Sequence, residues 1–499
     1  MRPIDVGVIS AYFVAVVGAG LLLAGRQRDA GDYFLGRRGL PWWAIMLSIV
    51  ATETSALTVI SVPGIAANGN LTFIQLAFGY LIGRIGVAAL LLPGYFQGTQ
   101  ETAYQRLERR FGVGARRVTA GAFMVTRALG DSVRVFATAI PLAIITGWSL
   151  PAGILAVGLL TVLYTWFGGL RAVVWVDVIQ LFVYLLGGIV TLIVALHLAG
   201  GIGSFATAYD HFKLVFIDPG LSFTRTYTLW SGLIGGALLS AASHGTDHLI
   251  VQRLLAARGL ADARKALVGS GVVIILQFAL FLLVGTSIWL AGAAPPGTPG
   301  DLLYPSFVVH RLPVGLGGLV VAGLLAAAMS TVASSLNSLA SASTHDFYAS
   351  VTGRRDAEHL LRVGRWMTLI WAAVLVGGAM LFPNRRTPVV ELALQVASLT
   401  YGGLLGTYLL GGFWRRARER DVIVAVLTGL VVMTPVVLTS VLPGWPIRVL
   451  SGLAWPWDVP LGTAITVLAG MLSSLLWREP GETRGVPPAA TREGGRGGP

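Results

Sequence analysis

The chain has 499 residues, 55% hydrophobic and only 12% charged, with mean hydropathy +0.75 and a net charge of +13. Soluble domains carry about 25% charged residues, so this composition excludes a soluble domain as the body of the protein. The absence of cysteine removes disulfides, thiolate metal sites and thiol catalysis together.

A helix crosses the hydrocarbon core with roughly 20 apolar residues, and such stretches run from end to end. They predict helices near 5–24, 41–65, 72–95, 118–146, 151–168, 173–198, 226–251, 266–292, 315–345, 367–382, 390–412, 421–441 and 460–477. These segments are too long and too uniformly apolar for barrel strands, and backbone in lipid must satisfy its own hydrogen bonds. The expected fold class is an all-α polytopic membrane protein with about thirteen transmembrane helices. The first segment is read as a retained helix rather than a signal peptide: it carries Asp5, has no basic region beyond Arg2, and runs on into an arginine-bearing loop. Residues 479–499, made of Gly, Pro, Arg and Glu without periodicity, read as a disordered tail.

With the N-terminus outside and the C-terminus cytoplasmic, the cytoplasmic segments hold twenty-six Lys or Arg and the external ones seven. The cytoplasmic set includes Arg37, Arg38, Arg109, Arg110, Arg415 and Arg416. Only the short external loop with Arg385 and Arg386 departs from this positive-inside pattern. The basicity therefore reads as topology in a plasma (inner) membrane, with the bilayer rather than nucleic acid as partner. No obligate protein partner is evident.

The segment GLLAAAMSTVASSLNSLASAST (323–344) carries hydroxyls that lipid cannot satisfy. At 100° per residue, Ala327, Ser330, Thr331, Ser334, Asn337, Ser338, Ser341 and Thr344 share a stripe about 120° wide, opposite Met329, Val332, Leu336 and Leu339. Two readings stand side by side. Small and hydroxylated residues let helices pack closely, or they supply hard oxygen ligands to a cation such as sodium. The second reading needs a partner wall with freed carbonyls, which transporters make from interrupted helices. SIVATETSALTVISVPGIAANGN (48–70) is a candidate, with Glu53 inside an apolar helix, hydroxyls at Thr52, Thr54, Ser55 and Thr58, and Pro63-Gly64 beyond. An intramembrane carboxylate is a functional-site hypothesis by default.

These segments resemble the sodium:solute symporter family. The likeness continues through LLPGYFQGTQETAYQRLERRFG (91–112), YTWFGGLRAVVWVDVIQ (164–180), SHGTDHLIVQRLLAA (243–257) and AAAMSTVASSLNSLASASTHDFY (326–348), in order, over about residues 5–440. The resemblance implies a leucine-transporter-like five-plus-five inverted repeat. Its halves would be 41–198 and 226–412, with 1–40 as first helix and cytoplasmic loop, 199–225 external, and 413–478 as two C-terminal helices. The first helix of each repeat would be interrupted.

The resemblance further implies Na+ as coupling ion, no organic cofactor, and no enzymatic activity. Its sodium ligands would be the carbonyls of Ala51, Thr54 and Ala327 and the hydroxyls of Ser330 and Thr331. Asp177 and Ser334 match a second sodium found in some members, although Ala333 replaces one of its serines; for Asp177 an ion pair to Arg171 near the cytoplasm stands as an equal reading. Glu53 and Ser55 fall where the proline-transporting branch has an acidic residue and a serine. Thr58 matches a sugar-contacting polar position. Gln75, Ser240, His244, Gln395 and Tyr401 are further cavity candidates.

Arg84, Arg127 and Arg134 lie within predicted helices, and Arg127, Asp131 and Arg134 can form an ion triplet with one excess positive charge. The triplet is read either as structural, with Arg127 reaching for the cytoplasmic interface, or as a source of attraction for an anion through Arg134. Arg84 either joins that attraction or neutralises Glu53 or Asp177. GYLIGRIGVAALLLP and TAYQRLERRFG stand closer to the iodide, vitamin and monocarboxylate branch, which makes a small organic anion the leading substrate class. A proton-coupled, sugar or amino-acid symporter is the runner-up. A channel or sensor is a further alternative, and an intramembrane enzyme is disfavoured because no H-E-x-x-H, Ser–His or paired-Asp set is recognisable.

Overall fold

The computed structural model describes residues 3–24, 27–98, 100–292, 298–381, 389–441 and 449–477. The expected tail, together with Arg385 and Arg386, lies outside the described residues. In chain order the helices are α1 (Pro3–Ala24), α2 (Ala30–Leu35), α3 (Trp42–Glu53), α4 (Ala56–Asn68), α5 (Ile74–Tyr95), α6 (Gln105–Phe111), α7 (Val113–Thr146) and α8 (Leu150–Leu198). The second half holds α9 (Gly236–Gly245), α10 (His248–Leu255), α11 (Leu260–Leu290), α12 (Gly300–Arg311), α13 (Leu316–Thr352), α14 (Ala357–Met380), α15 (Val389–Phe413), α16 (Glu419–Val441) and α17 (Asp458–Leu476).

Among the described residues, eight helices are long and apolar enough to span a membrane, or nine if the bent pair α3 and α4 counts as one span. Each of the thirteen expected segments nevertheless falls on a helix. The 49-residue α8 accounts for two of them: at 1.5 Å per residue it would run roughly 73 Å, more than twice the hydrocarbon thickness. It turns at Gly169, where φ is 55° and ψ −158°. A Cβ there would lie 2.4 Å from the Tyr33 carbonyl oxygen, so both the conformation and the space call for glycine.

Two helices are broken inside the protein. α3 ends at Glu53 and α4 starts at Ala56 with a 65° change of direction. The break lies at Thr54–Ser55, ahead of the Pro63-Gly64 pair, over which α4 stays helical. The segment expected as one helix over 226–251 is likewise interrupted: α9 ends at Gly245, and Asp247 caps α10 by accepting from the Leu249 amide at 2.9 Å. The two breaks fall in the second and seventh of the expected segments.

α13 is the central pillar. Within it, 83% of the apolar window is buried, against 22% for the peripheral α1. It packs along the second half of α8 and faces α3, α7 and α10 on its other sides. Close approach elsewhere rests on small residues: a Cβ on Gly79 of α5 would meet the Gly232 carbonyl just before α9 at 2.1 Å, and one on Gly83 would meet the Ala237 carbonyl at 2.2 Å. This spacing of small residues four apart lets two backbones touch.

Gly169→Ala is expected to destabilise the protein by about 1–3 kcal/mol through backbone strain and overlap. Thermal unfolding in detergent checks this, with Gly7→Ala as control, because a Cβ at Gly7 meets nothing within 4 Å.

Candidate functional site

The α3–α4 break frees specific carbonyls. The Ser55 amide, which would serve the Ala51 carbonyl in a continuous helix, donates to the Glu53 carbonyl at 3.1 Å. The Thr58 amide, which would serve Thr54, donates to the Ser55 carbonyl at 2.9 Å. Ala51 and Thr54 therefore lose their i+4 donors at the point where the chain changes direction. The Thr54 hydroxyl accepts from Gln277 at 2.5 Å, and Gln277 in turn accepts from Tyr184 at 3.0 Å. That chain of bonds from α11 and α8 holds the break in place.

Across from it, nearly every hydroxyl of the α13 stripe has an identified use. Ser330 donates to Asp177 at 2.6 Å, and Thr331 donates to the carbonyls of Thr52 and Ala327, both at 3.2 Å. Each hydroxyl has given its hydrogen away, so its oxygen keeps lone pairs for a hard cation. Ser334 donates to the Ser330 carbonyl at 2.7 Å and lies 3.0 Å from the Thr52 hydroxyl. Asn337 accepts from Gln252 at 2.7 Å, and Ser341 lies 3.0 Å from His248. Toward its lower end the stripe is thus a packing interface with α10, and beside the break it is a set of oriented oxygens.

Asp177 does not pair with Arg171. Its carboxylate receives Ser48 at 2.6 Å, Ser330 at 2.6 Å and Arg253 at 3.2 Å, and both charged side chains are fully buried. Arg253 also donates to Ser334 and, at 2.9 Å, to Ser48. The guanidinium thus sits on both residues expected to hold a second sodium. Sequence reasoning had counted Arg253 among the cytoplasmic loop arginines. α10 instead carries it inward, because the break at Thr246–Asp247 lets the chain continue as a buried helix. Its signal was present: Asp247 ahead of an apolar run is a capping pattern.

A cavity of about 90 Å³ opens beside the break. Glu53, Ser55, Thr58, Arg127, Arg134, Ser240, His244 and Tyr401 line it, against an apolar wall that includes Phe73, Leu239 and Phe278. Glu53 is paired with the buried Arg84 of α5, which also donates to Ser270 at 2.7 Å, and His244 approaches Glu53 at 3.6 Å. Arg84 therefore serves Glu53 and not Asp177. The expected triplet exists, with Arg127–Asp131 at 3.1 Å and Arg134–Asp131 at 2.7 Å. Its predicted excess charge does not: Asp247 approaches Arg127 at 3.5 Å and accepts from Tyr401 at 2.8 Å. Arg127 is buried in this network instead of reaching for the interface. Among the described residues, the Ser240 hydroxyl, the Nε2 of His244 and the Nε of Arg134 have no hydrogen-bond partner. Two other candidates are elsewhere. Gln75 is fully buried and spends its amide on the Thr72 and Tyr227 carbonyls and the Asp218 amide, and Gln395 is not among the cavity walls.

Removing one member of a buried ion pair leaves the other uncompensated, at about 3–5 kcal/mol. Arg253→Met should therefore lower the unfolding temperature strongly, and adding Asp177→Asn should restore part of it. A thermal double-mutant cycle with no coupling between the two positions would show that the pair does not support the fold.

The family model for the sodium:solute symporters matches residues 33–429. The sodium/sialic acid symporter of Aliivibrio fischeri is 26% identical, over 94% of this chain and 92% of its own length. Sodium-coupled monocarboxylate transporter 2 of Bos taurus is 26% identical over 94% of this chain and 77% of its own. A solved structure of a Na+-coupled sialic acid symporter in a substrate-bound outward-open state superposes with a TM-score of 0.84, covering 96% of this chain and 98% of that one at 24% identity. The two interrupted helices, the hydroxyl stripe facing the first break, and a family match that takes in both place this multi-pass membrane protein in the sodium:solute symporter family, on the leucine-transporter-like fold, as a sodium-coupled solute symporter and not an enzyme.

Proposed function

We propose that the chain moves a small organic anion, coupled to one sodium ion bound between the α3–α4 break and α13. The observation that carries the ion site is the pairing of carbonyls freed at Ala51 and Thr54 with hydroxyls of Ser330 and Thr331 whose hydrogens point elsewhere. Ala327, one turn before Thr331, contributes its carbonyl. A second sodium at Asp177 and Ser334 is not part of the proposal, because Arg253 already neutralises that carboxylate and Ala333 brings no hydroxyl.

The substrate class rests on the size and polarity of the cavity. About 90 Å³ is less than the roughly 150 Å³ that admits benzene, which favours a solute of a few heavy atoms. The Nε of Arg134, with Ser240 and His244, offers donors to a carboxylate. A relative named as a monocarboxylate transporter agrees with this class in charge and size, while one named for sialic acid, also a carboxylate, agrees in charge only.

In the cycle, sodium steadies the break and with it the orientation of Glu53, Ser55 and Thr58 at the cavity. Substrate then binds, and by linkage each ligand tightens the other by the same factor. A change of packing around the two broken helices releases both to the low-sodium side. The arginine-rich connections support reading that side as the cytoplasm, with the N-terminus outside.

Uptake into proteoliposomes from a panel of short carboxylates, sugars and amino acids tests this, with sodium or choline outside. Short carboxylates are expected to enter only with sodium. Equal uptake in choline would overturn sodium coupling, and uptake that follows a pH gradient alone would replace it by proton coupling. Ser330→Ala with Thr331→Ala should raise the sodium concentration for half-maximal uptake at least tenfold, since two oxygen ligands at about 1 kcal/mol or more each are lost. An unchanged sodium requirement would refute the ligand assignment.

A further inference from the structure

A second cavity, of about 420 Å³, lies away from the break, at the opposite end of α3. Three connections build it. Residues 27–41 contribute Gln27, Asp32, Arg37 and Pro41; the turn of α8 contributes Arg171 and Trp175; and the loop after α10 contributes Arg258. Backbone contacts lock them together: the Leu40 amide donates to the Ala256 carbonyl at 3.3 Å, Leu40 and Ala257 form an isolated parallel bridge, and Gln27 donates to the Gly168 carbonyl at 3.2 Å. The pocket is therefore held by the fold and not by chance side-chain positions.

Its charge is unbalanced. Arg37 pairs with Asp32, which the Arg28 amide also serves at 3.1 Å. Arg171 has no hydrogen-bond or ion-pair partner among the described residues, and Arg258 has only a long 3.4 Å bond to the Gly39 carbonyl. Two positive charges remain over a cavity that also meets the N-terminal end of α3, where Pro41 is the cap and no side chain serves the first-turn amides. That combination recognises an anion carrying several oxygens.

The surroundings say which anion. Trp42 and Trp43, the first residues of α3, are 38% and 41% exposed, and Trp43 meets the cavity-lining Trp175 edge-to-face at 5.4 Å. Exposed tryptophans at the end of a spanning helix mark the headgroup level of the bilayer. Basic pockets between helices on the arginine-rich side take lipid headgroups. We infer that this cavity is a binding site for the phosphate of an anionic phospholipid, held by Arg171 and Arg258 with the tryptophans against its glycerol and upper acyl region. The site is independent of the substrate assigned above and touches none of the proposed sodium ligands.

Native mass spectrometry of the delipidated full-length protein tests it, with phosphatidylglycerol and phosphatidylcholine of the same acyl chains offered separately. Wild type is expected to retain phosphatidylglycerol at least ten times more strongly. Arg171→Gln with Arg258→Gln should weaken that retention on the order of thirtyfold, while Arg171→Lys with Arg258→Lys should stay within a few-fold of wild type. Should the double Gln variant not fold, Arg171→Gln alone removes an exposed, unpaired side chain and should weaken binding about fivefold. Equal retention of the two lipids, or full retention by the Gln variants, would overturn the proposal. Inorganic phosphate displacing the lipid at equal concentration would assign the site to a free anion instead.

Discussion

A carbonyl inside a membrane protein needs a partner, and the α3–α4 break leaves two without the amides that a helix would provide. Around that deficit the rest of the core is arranged. α13 brings hydroxyls to one side of it, and among the described spans this hydroxyl-striped helix is the most deeply buried. Gln277 and Tyr184 reach in from α11 and α8 to hold the Thr54 hydroxyl. These contacts fix an irregular backbone that is shielded from lipid, as non-helical backbone at membrane depth must be. The same contacts leave lone pairs on Ser330 and Thr331 uncommitted, and that surplus is what the proposed cation site rests on.

Buried charge is managed in compensated sets, and three of these sets tie a broken or turning helix to a neighbour. Glu53 at the first break is held by Arg84 of α5. Asp247 at the second break is held by Arg127 of α7 and by Tyr401 of α15. Asp177, beyond the turn of α8, is held by Arg253 of α10. A buried pair contributes little net stability compared with apolar packing, but losing one partner is costly. Such pairs therefore specify which helices sit together more than they strengthen the whole.

The parts of this arrangement that were legible in the sequence are those written in local periodicity. The stripe on α13 follows from positions three and four apart, and so does the triplet of Arg127, Asp131 and Arg134. Of the polar residues offered as cavity candidates, Ser240, His244 and Tyr401 line the cavity beside the break, and Gln75 and Gln395 do not. What stayed hidden depends on positions distant in the chain. Arg253 and Asp177 are 76 residues apart, and nothing in either segment names the other. Arg253 also read as a loop arginine because its helix looked as though it ended at 251. The break before it carries that arginine into the interior, where it contacts Asp177 and Ser334, the two positions that match a second sodium in some family members. Gln75 was misplaced for the opposite reason: a polar residue in an apolar helix was read as facing a ligand, while its amide is spent on loop backbone near Tyr227 and Asp218.

Coupling between ion and solute has a short physical route in this geometry. Ala51 and Thr54 lose the helical donors to their carbonyls at the break that α13 faces, while Glu53, Ser55 and Thr58 line the cavity. The proposed ion site and the proposed solute site thus alternate along a few residues of one irregular turn. A cation pulling on the carbonyl of Thr54 reorients the peptide that it shares with Ser55, and Ser55 is a cavity wall. No long chain of intermediates is needed, since the two ligands bias the same local element. The Gln277 clamp on Thr54 holds that element in the arrangement seen here. Linkage then makes the effect reciprocal: whatever free energy sodium contributes toward ordering Ser55 for the solute, the solute returns to sodium.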